Sequence, residues 1–145
     1  MNDNIFKLIR AVEMFNNETI VRFNESYSHP IGISSILVLL ELREKGPNKS
    51  SAIAKALSYT PGAMTNIANK LINGGYAVRK YDEQDRRQVL LAITDQGQQA
   101  LVDAQKAGEA LHKDLFDILT HEEIRQFQTI YEKLLHHLGK GYVSP

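Results

Sequence analysis

The sequence predicts a mainly α-helical protein with one small β-hairpin: a winged helix-turn-helix flanked by an N-terminal helix and two C-terminal helices. Three observations carry this reading. Apolar residues recur at helical spacing along most of the chain, and the period changes from 3.6 to 2 over one short stretch after Gly75. The third is a segregation of charge. Residues 45 to 81 hold six Lys/Arg (Lys45, Lys49, Lys55, Lys70, Arg79, Lys80) and no acid, whereas the rest of the chain holds all seventeen Asp/Glu. The formal net charge is zero, so the flanks balance one basic region that attracts polyanions locally whatever the global charge.

Length and composition bound the answer. A chain of 145 residues with 43% hydrophobic content fits one domain, residues 1–145, with a core of its own. It has no run of eighteen apolar residues and no signal-peptide pattern, so the expectation is a cytoplasmic protein with no membrane partner. There is no Cys, which removes disulfides, cysteine-ligated zinc and cysteine nucleophiles.

The first helix is expected from Asn4 to about Tyr27, with Ile5, Leu8, Ile9, Val12, Phe15, Ile20 and Phe23 at mostly three- and four-residue spacing. His29-Pro30 interrupts it. A second helix starts near Ser34, with Ile33, Ile36, Leu37 and Leu40 as its inner face, and stops at Gly46-Pro47. A short third helix takes Asn48 or Ser50 as its cap and turns Ile53, Ala54 and Leu57 inward.

Thr60-Pro61 then reads as an N-cap followed by proline at the first helical position, where a missing N–H costs nothing. The fourth helix runs to about Asn73, with Met64, Ile67, Ala68 and Leu71 on one face. Gly62, Ala63, Thr65, Asn66, Asn69 and Lys70 must point the other way, and none of them is acidic. Two short helices, the second showing small polar side chains and a lysine outward, make a helix-turn-helix pattern.

Beyond Gly75, residues Tyr76 to Tyr81 and Gln88 to Thr94 read as strands, the second with Val89, Leu91 and Ile93 alternating onto one face. The six polar residues between them, Asp82 to Arg87, make a projecting tip, which completes a winged helix over 33–94. Two helices close the chain over 95–145. One starts near Thr94-Asp95 and carries Leu101, Ala104, Leu111, Leu115 and Ile118. The other starts at Thr120, in a capping box with Glu123.

The run Leu71-Ile72-Asn73-Gly74-Gly75-Tyr76-Ala77-Val78-Arg79, then Asp82 and Asp85-Arg86-Arg87, then Leu91-Ala92-Ile93-Thr94 with Gly97 and Leu101, resembles the signature of the multiple-antibiotic-resistance regulator (MarR) family. Ile93 stands where that pattern has leucine. The resemblance in helix order covers essentially the whole chain. It implies a homodimeric transcription regulator, in which residues 1–28 and 95–145 supply dimerisation helices. Each subunit then presents one winged helix to a palindromic double-stranded DNA operator. It further implies a repressor released by a small-molecule effector that changes the spacing of the two recognition helices.

On that reading the fourth helix enters the major groove. Thr65, Asn66 and Asn69 meet base edges there, since Asn can pair bidentately with adenine and Thr can bond a base or touch a thymine methyl. Gly62 and Ala63 lie on the same face, and Ser50, Thr60 and Lys70 are suited to phosphates, which set register without reading sequence. The resemblance makes Arg87 the wing arginine that reaches into the minor groove, with Asp85 holding its guanidinium, and Arg86 falls on the opposite side, towards a phosphate.

No cofactor is expected, and no metal: His136 and His137 are adjacent, and the remaining His29, His112 and His121 form no i, i+4 pair. An enzyme is not expected either, because the chain lacks a Gly-x-Ser-x-Gly elbow, a phosphate-binding glycine loop and a His-Glu-x-x-His pair. The remaining alternative is a winged helix used for protein interaction without specific DNA binding.

Overall fold

The computed structural model describes residues 2–141. Residues 1 and 142–145, the outer ends of the two flanking regions, lie outside them. Eight elements follow in the order α1 (Asn2–Ser26), α2 (Ile33–Lys45), α3 (Ser50–Leu57), α4 (Pro61–Asn73), β1 (Ala77–Tyr81), β2 (Val89–Ile93), α5 (Asp95–Phe116) and α6 (His121–His137). The chain divides into two compact units, Met1–Leu111 and His112–Pro145.

In the first unit, Val38, Leu39 and Leu42 of α2, Ile53 of α3, and Met64 and Leu71 of α4 are almost wholly buried. Phe23 and Tyr27, at and just beyond the end of α1, join the same core, as do Leu91 of β2 and Leu101 of α5. Burial of each such side chain is worth about 1.5–3 kcal/mol, and together they fix α2, α3 and α4 as one body. The strands pair antiparallel with Ala77 opposite Ile93 and Tyr81 opposite Val89. Asn48 adds a further backbone bridge to Leu91, its N–H donating to Leu91 O at 3.1 Å and its carbonyl accepting from Leu91 N–H at 2.8 Å. The wing is thereby stitched to the start of the helix-turn-helix.

Four local expectations are corrected. The fully buried face of α2 is Ser35, Val38, Leu39 and Leu42; Ile33, Ile36 and Leu40 of the expected face are half-buried against the same core, while Leu37 is exposed. Ile36 to Leu40 is apolar all round, so periodicity could not choose the face and packing against neighbouring elements chose it. The cap of α3 is Lys49, without a side-chain bond, because Asn48 is committed to Leu91 and Ser50 is already helical. Along β2, Leu91 and Ala92 are buried and Val89 is 45% exposed: alternation fails where the strand leaves the body for the wing tip. Finally, α5 ends at Phe116, and Ile118 lies beyond it, 90% exposed.

Two glycines are required by the geometry. Gly75 has a φ of +82°, a left-handed conformation that turns the chain from α4 into β1. Gly97 lies against the carbonyl of Tyr76, which a Cβ would meet at 2.2 Å.

In the second unit, α6 begins with a complete capping box. Thr120 Oγ1 accepts from the Glu123 N–H at 3.1 Å, and the Glu123 carboxylate accepts from the Thr120 N–H at 2.9 Å. Phe116, Phe127 and Tyr131 form a short aromatic row, yet no residue of α6 is buried.

Candidate nucleic-acid interface

The outward face of α4 is built by its own first turn. Thr60 Oγ1 accepts from the Ala63 N–H at 3.1 Å and Pro61 occupies the first helical position. That cap leaves the Thr60 hydroxyl hydrogen free to donate outward. With Met64, Ala68 and Leu71 turned into the core, Gly62, Ala63, Thr65, Asn66, Asn69 and Lys70 are all exposed, as the helical period requires. A Cβ on Gly62 would meet nothing within 4 Å, so the surface there is open to close approach.

Two of the base-reading candidates already have intramolecular partners. Thr65 Oγ1 donates to the Pro61 carbonyl at 2.9 Å, which fixes its rotamer while leaving its methyl and lone pairs outward. Asn69 Oδ1 accepts from Arg79 at 3.2 Å, tying α4 to β1. Its amide group remains able to donate, but bidentate pairing with adenine would require Arg79 to release it. Sequence patterning held no sign of this bond, since the two residues lie on different elements across the Gly74-Gly75 turn.

Ser50 opens α3 half-exposed, and Lys49 and Lys55 flank it at the surface. Indeed all six bases of the 45–81 segment are exposed. The positive charge therefore lies on the surface of α2 through β1.

At the wing, Arg87 reaches back onto Asp85 in a fork. Its Nε donates to Oδ1 at 3.1 Å, its terminal nitrogen to Oδ2 at 3.4 Å, and its backbone N–H to Oδ1 at 3.1 Å. These bonds hold the Asp85 carboxyl below the usual carboxylate range, helped by the nearby charge of Lys49. The Arg87 side chain is nonetheless 91% exposed, so it is oriented without being covered. Arg86 is exposed and has no hydrogen bond or ion pair among the described residues. Asp82 shapes the tip from the other side, accepting from the Gln84 N–H at 3.0 Å.

A second polar cluster lies where α1 leads into α2. His29 Nε2 is 2.7 Å from Asp103 of α5 and His29 Nδ1 is 3.1 Å from the hydroxyl of Tyr76, at the foot of β1. Tyr27 donates to the Ala100 carbonyl at 2.7 Å, and burial, reinforced by Tyr76 and Asp103, pushes its phenol up to about 12. This cluster involves residues that the sequence reading left unassigned, because their proximity depends on the fold. Among the described residues no three His, Asp or Glu side chains group as metal ligands would, and no helix is long and apolar enough to cross a membrane.

Known proteins are similar to this chain in sequence and in fold. The sequence profile of the MarR family matches residues 31–89. The chain is 28% identical over 134 residues to the multiple antibiotic resistance protein MarR of Salmonella typhimurium, covering 90% of this chain and 92% of that one. It is 30% identical over 101 residues to the transcriptional repressor MdtR of Bacillus subtilis, covering 70% and 65% of the two chains. Among solved structures it is similar to a mutant MarR from Escherichia coli complexed with operator DNA, with a TM-score of 0.81, 26% identity, and coverage of 93% and 98%.

Proposed function

The chain belongs to the MarR family of transcription regulators, and from that premise we propose that it is a homodimeric repressor that binds a palindromic operator in double-stranded DNA. The observation that carries this reading is the pairing of an exposed, acid-free α4 face with an exposed wing arginine held in place by Asp85.

In this reading α4 lies in the major groove, with Thr65, Asn66 and Asn69 towards base edges, and Gly62 and Ala63 letting the helix approach closely. Ser50, Thr60, Lys70 and Arg86 take phosphates and set the register. Arg87 enters the minor groove, where negative potential is concentrated, and Asp85 limits the rotamers that the guanidinium would otherwise lose on binding.

Dimerisation is supported by apolar surface that neither unit buries within itself. On α1, Phe6 is 71% exposed and Leu8 58%; on α6, Leu134 is 54% and Ile130 56%. A second copy of the chain covering both helices, the 1–28 and 95–145 regions, removes this surface from water. Two recognition helices then meet successive major grooves about 34 Å apart. A small-molecule effector that favours another spacing releases the DNA. The protein acts in the cytoplasm and is a regulator rather than an enzyme.

Selection of bound sequences from random duplex DNA at two salt concentrations tests this. A palindrome with half-sites about ten base pairs apart supports the reading. Binding that is sequence-blind and only salt-dependent would overturn the operator. Failure to bind even at low salt would turn the assignment towards a protein-interaction module.

A further inference from the structure

Asn69 and Arg79 lie on opposite sides of the Gly74-Gly75 turn, and that turn is clamped. The Tyr76 N–H donates to the Leu71 carbonyl at 2.9 Å, and the Gln96 side-chain amide donates to the Gly74 carbonyl at 2.9 Å. Thr94 holds the far side, its hydroxyl donating to the Gly75 carbonyl at 2.6 Å and its N–H to the Tyr76 carbonyl at 3.1 Å. Arg79 itself is opposite Leu91 in the strand pair, and Leu91 is buried and bridged to Asn48. The backbone that presents Arg79 to α4 is therefore set by the fold.

From that position a terminal nitrogen of Arg79 donates to Asn69 Oδ1 at 3.2 Å. A guanidinium carries donors only, so the amide must turn its oxygen towards it, and the two amide hydrogens are left for a ligand. Arg79 makes no ion pair among the described residues, so no carboxylate competes with Asn69 for it.

Asn66, three residues earlier on the same exposed face, differs. Its side chain has no hydrogen-bond partner among the described residues, so both its oxygen and its amino group remain for a ligand. Two asparagines that are alike in sequence thus present different chemistry, because only one of them lies within reach of the arginine on β1.

We propose that Arg79 is a specificity-determining residue of the operator interface: by occupying Asn69 Oδ1 it makes Asn69 a pure donor, which reads guanine in place of adenine. The proposal rests on the DNA-binding reading above and goes beyond it in naming the base and the residue that selects it. In the major groove guanine presents two acceptors, N7 and O6, whereas adenine presents N7 beside the N6 amino donor. An asparagine free at both ends matches adenine; one whose oxygen is taken meets N6 donor against donor. Thymine offers the single acceptor O4 and cytosine only a donor, so guanine is the base that can use both amide hydrogens. Docking on DNA excludes water from this face, which strengthens a charge-assisted bond already formed. Arg79 acts here through Asn69, as a positioning residue.

The test repeats the selection from random duplex DNA with wild type, Asn69→Ala, Arg79→Met and Arg79→Lys. Both residues are exposed, so all three variants are expected to melt with wild type. Asn69→Ala flattens one position of each half-site, which identifies the base pair that Asn69 reads. Wild type favours guanine over adenine at that position by about tenfold, and 7-deazaguanine there, which lacks the N7 acceptor, weakens binding. Arg79→Met keeps an unbranched side chain without donors, so preference at that position moves from guanine to adenine while every other position keeps its base. Arg79→Lys restores a donor and with it guanine. A purely structural role for Arg79 would lower affinity for all sequences alike and leave guanine in place, and that outcome would overturn the proposal. So would adenine at that position with wild type. An unchanged selected sequence in Asn69→Ala would remove Asn69 from base reading and overturn the proposal while leaving the DNA-binding reading intact. Wild-type protein that selects no sequence would overturn the operator reading and this proposal together.

Discussion

His29 Nε2 lies 2.7 Å from Asp103 Oδ2, joining the loop after α1 to α5 in the first unit of the protein. An ionised carboxylate can only accept, so Nε2 carries the proton, and in the neutral ring Nδ1 accepts from the Tyr76 hydroxyl. The contact ties the helix proposed for dimerisation to the foot of the wing. It also sets a direction for pH. His29 is the largest influence holding the Asp103 carboxyl below 3.8. A depressed folded value means stability that is present above the unfolded value and lost as pH falls through the folded one. Asp103→Asn is therefore expected to lower the urea midpoint at pH 7, with the gap to wild type closing as pH falls through the lowered folded value of Asp103. A gap of the same size at pH 7 and in acid would show that the His29–Asp103 contact contributes nothing.

Arg87→Ala is expected to weaken operator binding by more than about tenfold, a loss near 1.4 kcal/mol, with unchanged melting because the side chain is almost fully exposed. Asp85→Asn weakens binding less, since the guanidinium survives but loses its fork. Fluorescence anisotropy with the selected duplex measures both. Full affinity in Arg87→Ala would remove the wing from the interface.

Thr60→Ala removes the one side-chain cap of α4 and is expected to cost about 1 kcal/mol. Thermal melts check that value. Because Thr60 is also proposed to hold a phosphate, DNA affinity should fall at a temperature where the variant is still fully folded.

Gly97→Ala drives a Cβ to 2.2 Å from the Tyr76 carbonyl and 2.7 Å from Ile93 Cγ1. Backbone cannot give way as a side-chain tip can, so the variant should lose at least about 1–3 kcal/mol. A melting point equal to wild type would mean that α5 shifts freely against the hairpin.

Ile130→Glu with Leu134→Glu places two charges on exposed positions of α6. The expected product is a monomer by light scattering, with helical circular dichroism retained. A dimer of wild-type affinity would exclude α6 from the interface, and deletion of residues 120–145 would then be expected to leave the dimer intact as well.

The sequence by itself determined the order and kind of the elements, because the signals involved are local. Thr60-Pro61, the Thr120–Glu123 box, and the change of period after Gly75 act within a few residues, and each appears in the structure where the chain chemistry puts it. It also determined which side of α4 faces out, since Met64, Ala68 and Leu71 leave only one apolar stripe. Tertiary structure decided what has no local signal. The buried face of α2 was ambiguous because residues 36 to 40 are apolar all round, and contact with its neighbours selected Ser35, Val38, Leu39 and Leu42 as the fully buried set. The same packing brought Asn48 to Leu91, Arg79 to Asn69, and His29 to Asp103, pairs whose distances depend on how separate elements come together rather than on spacing along the chain.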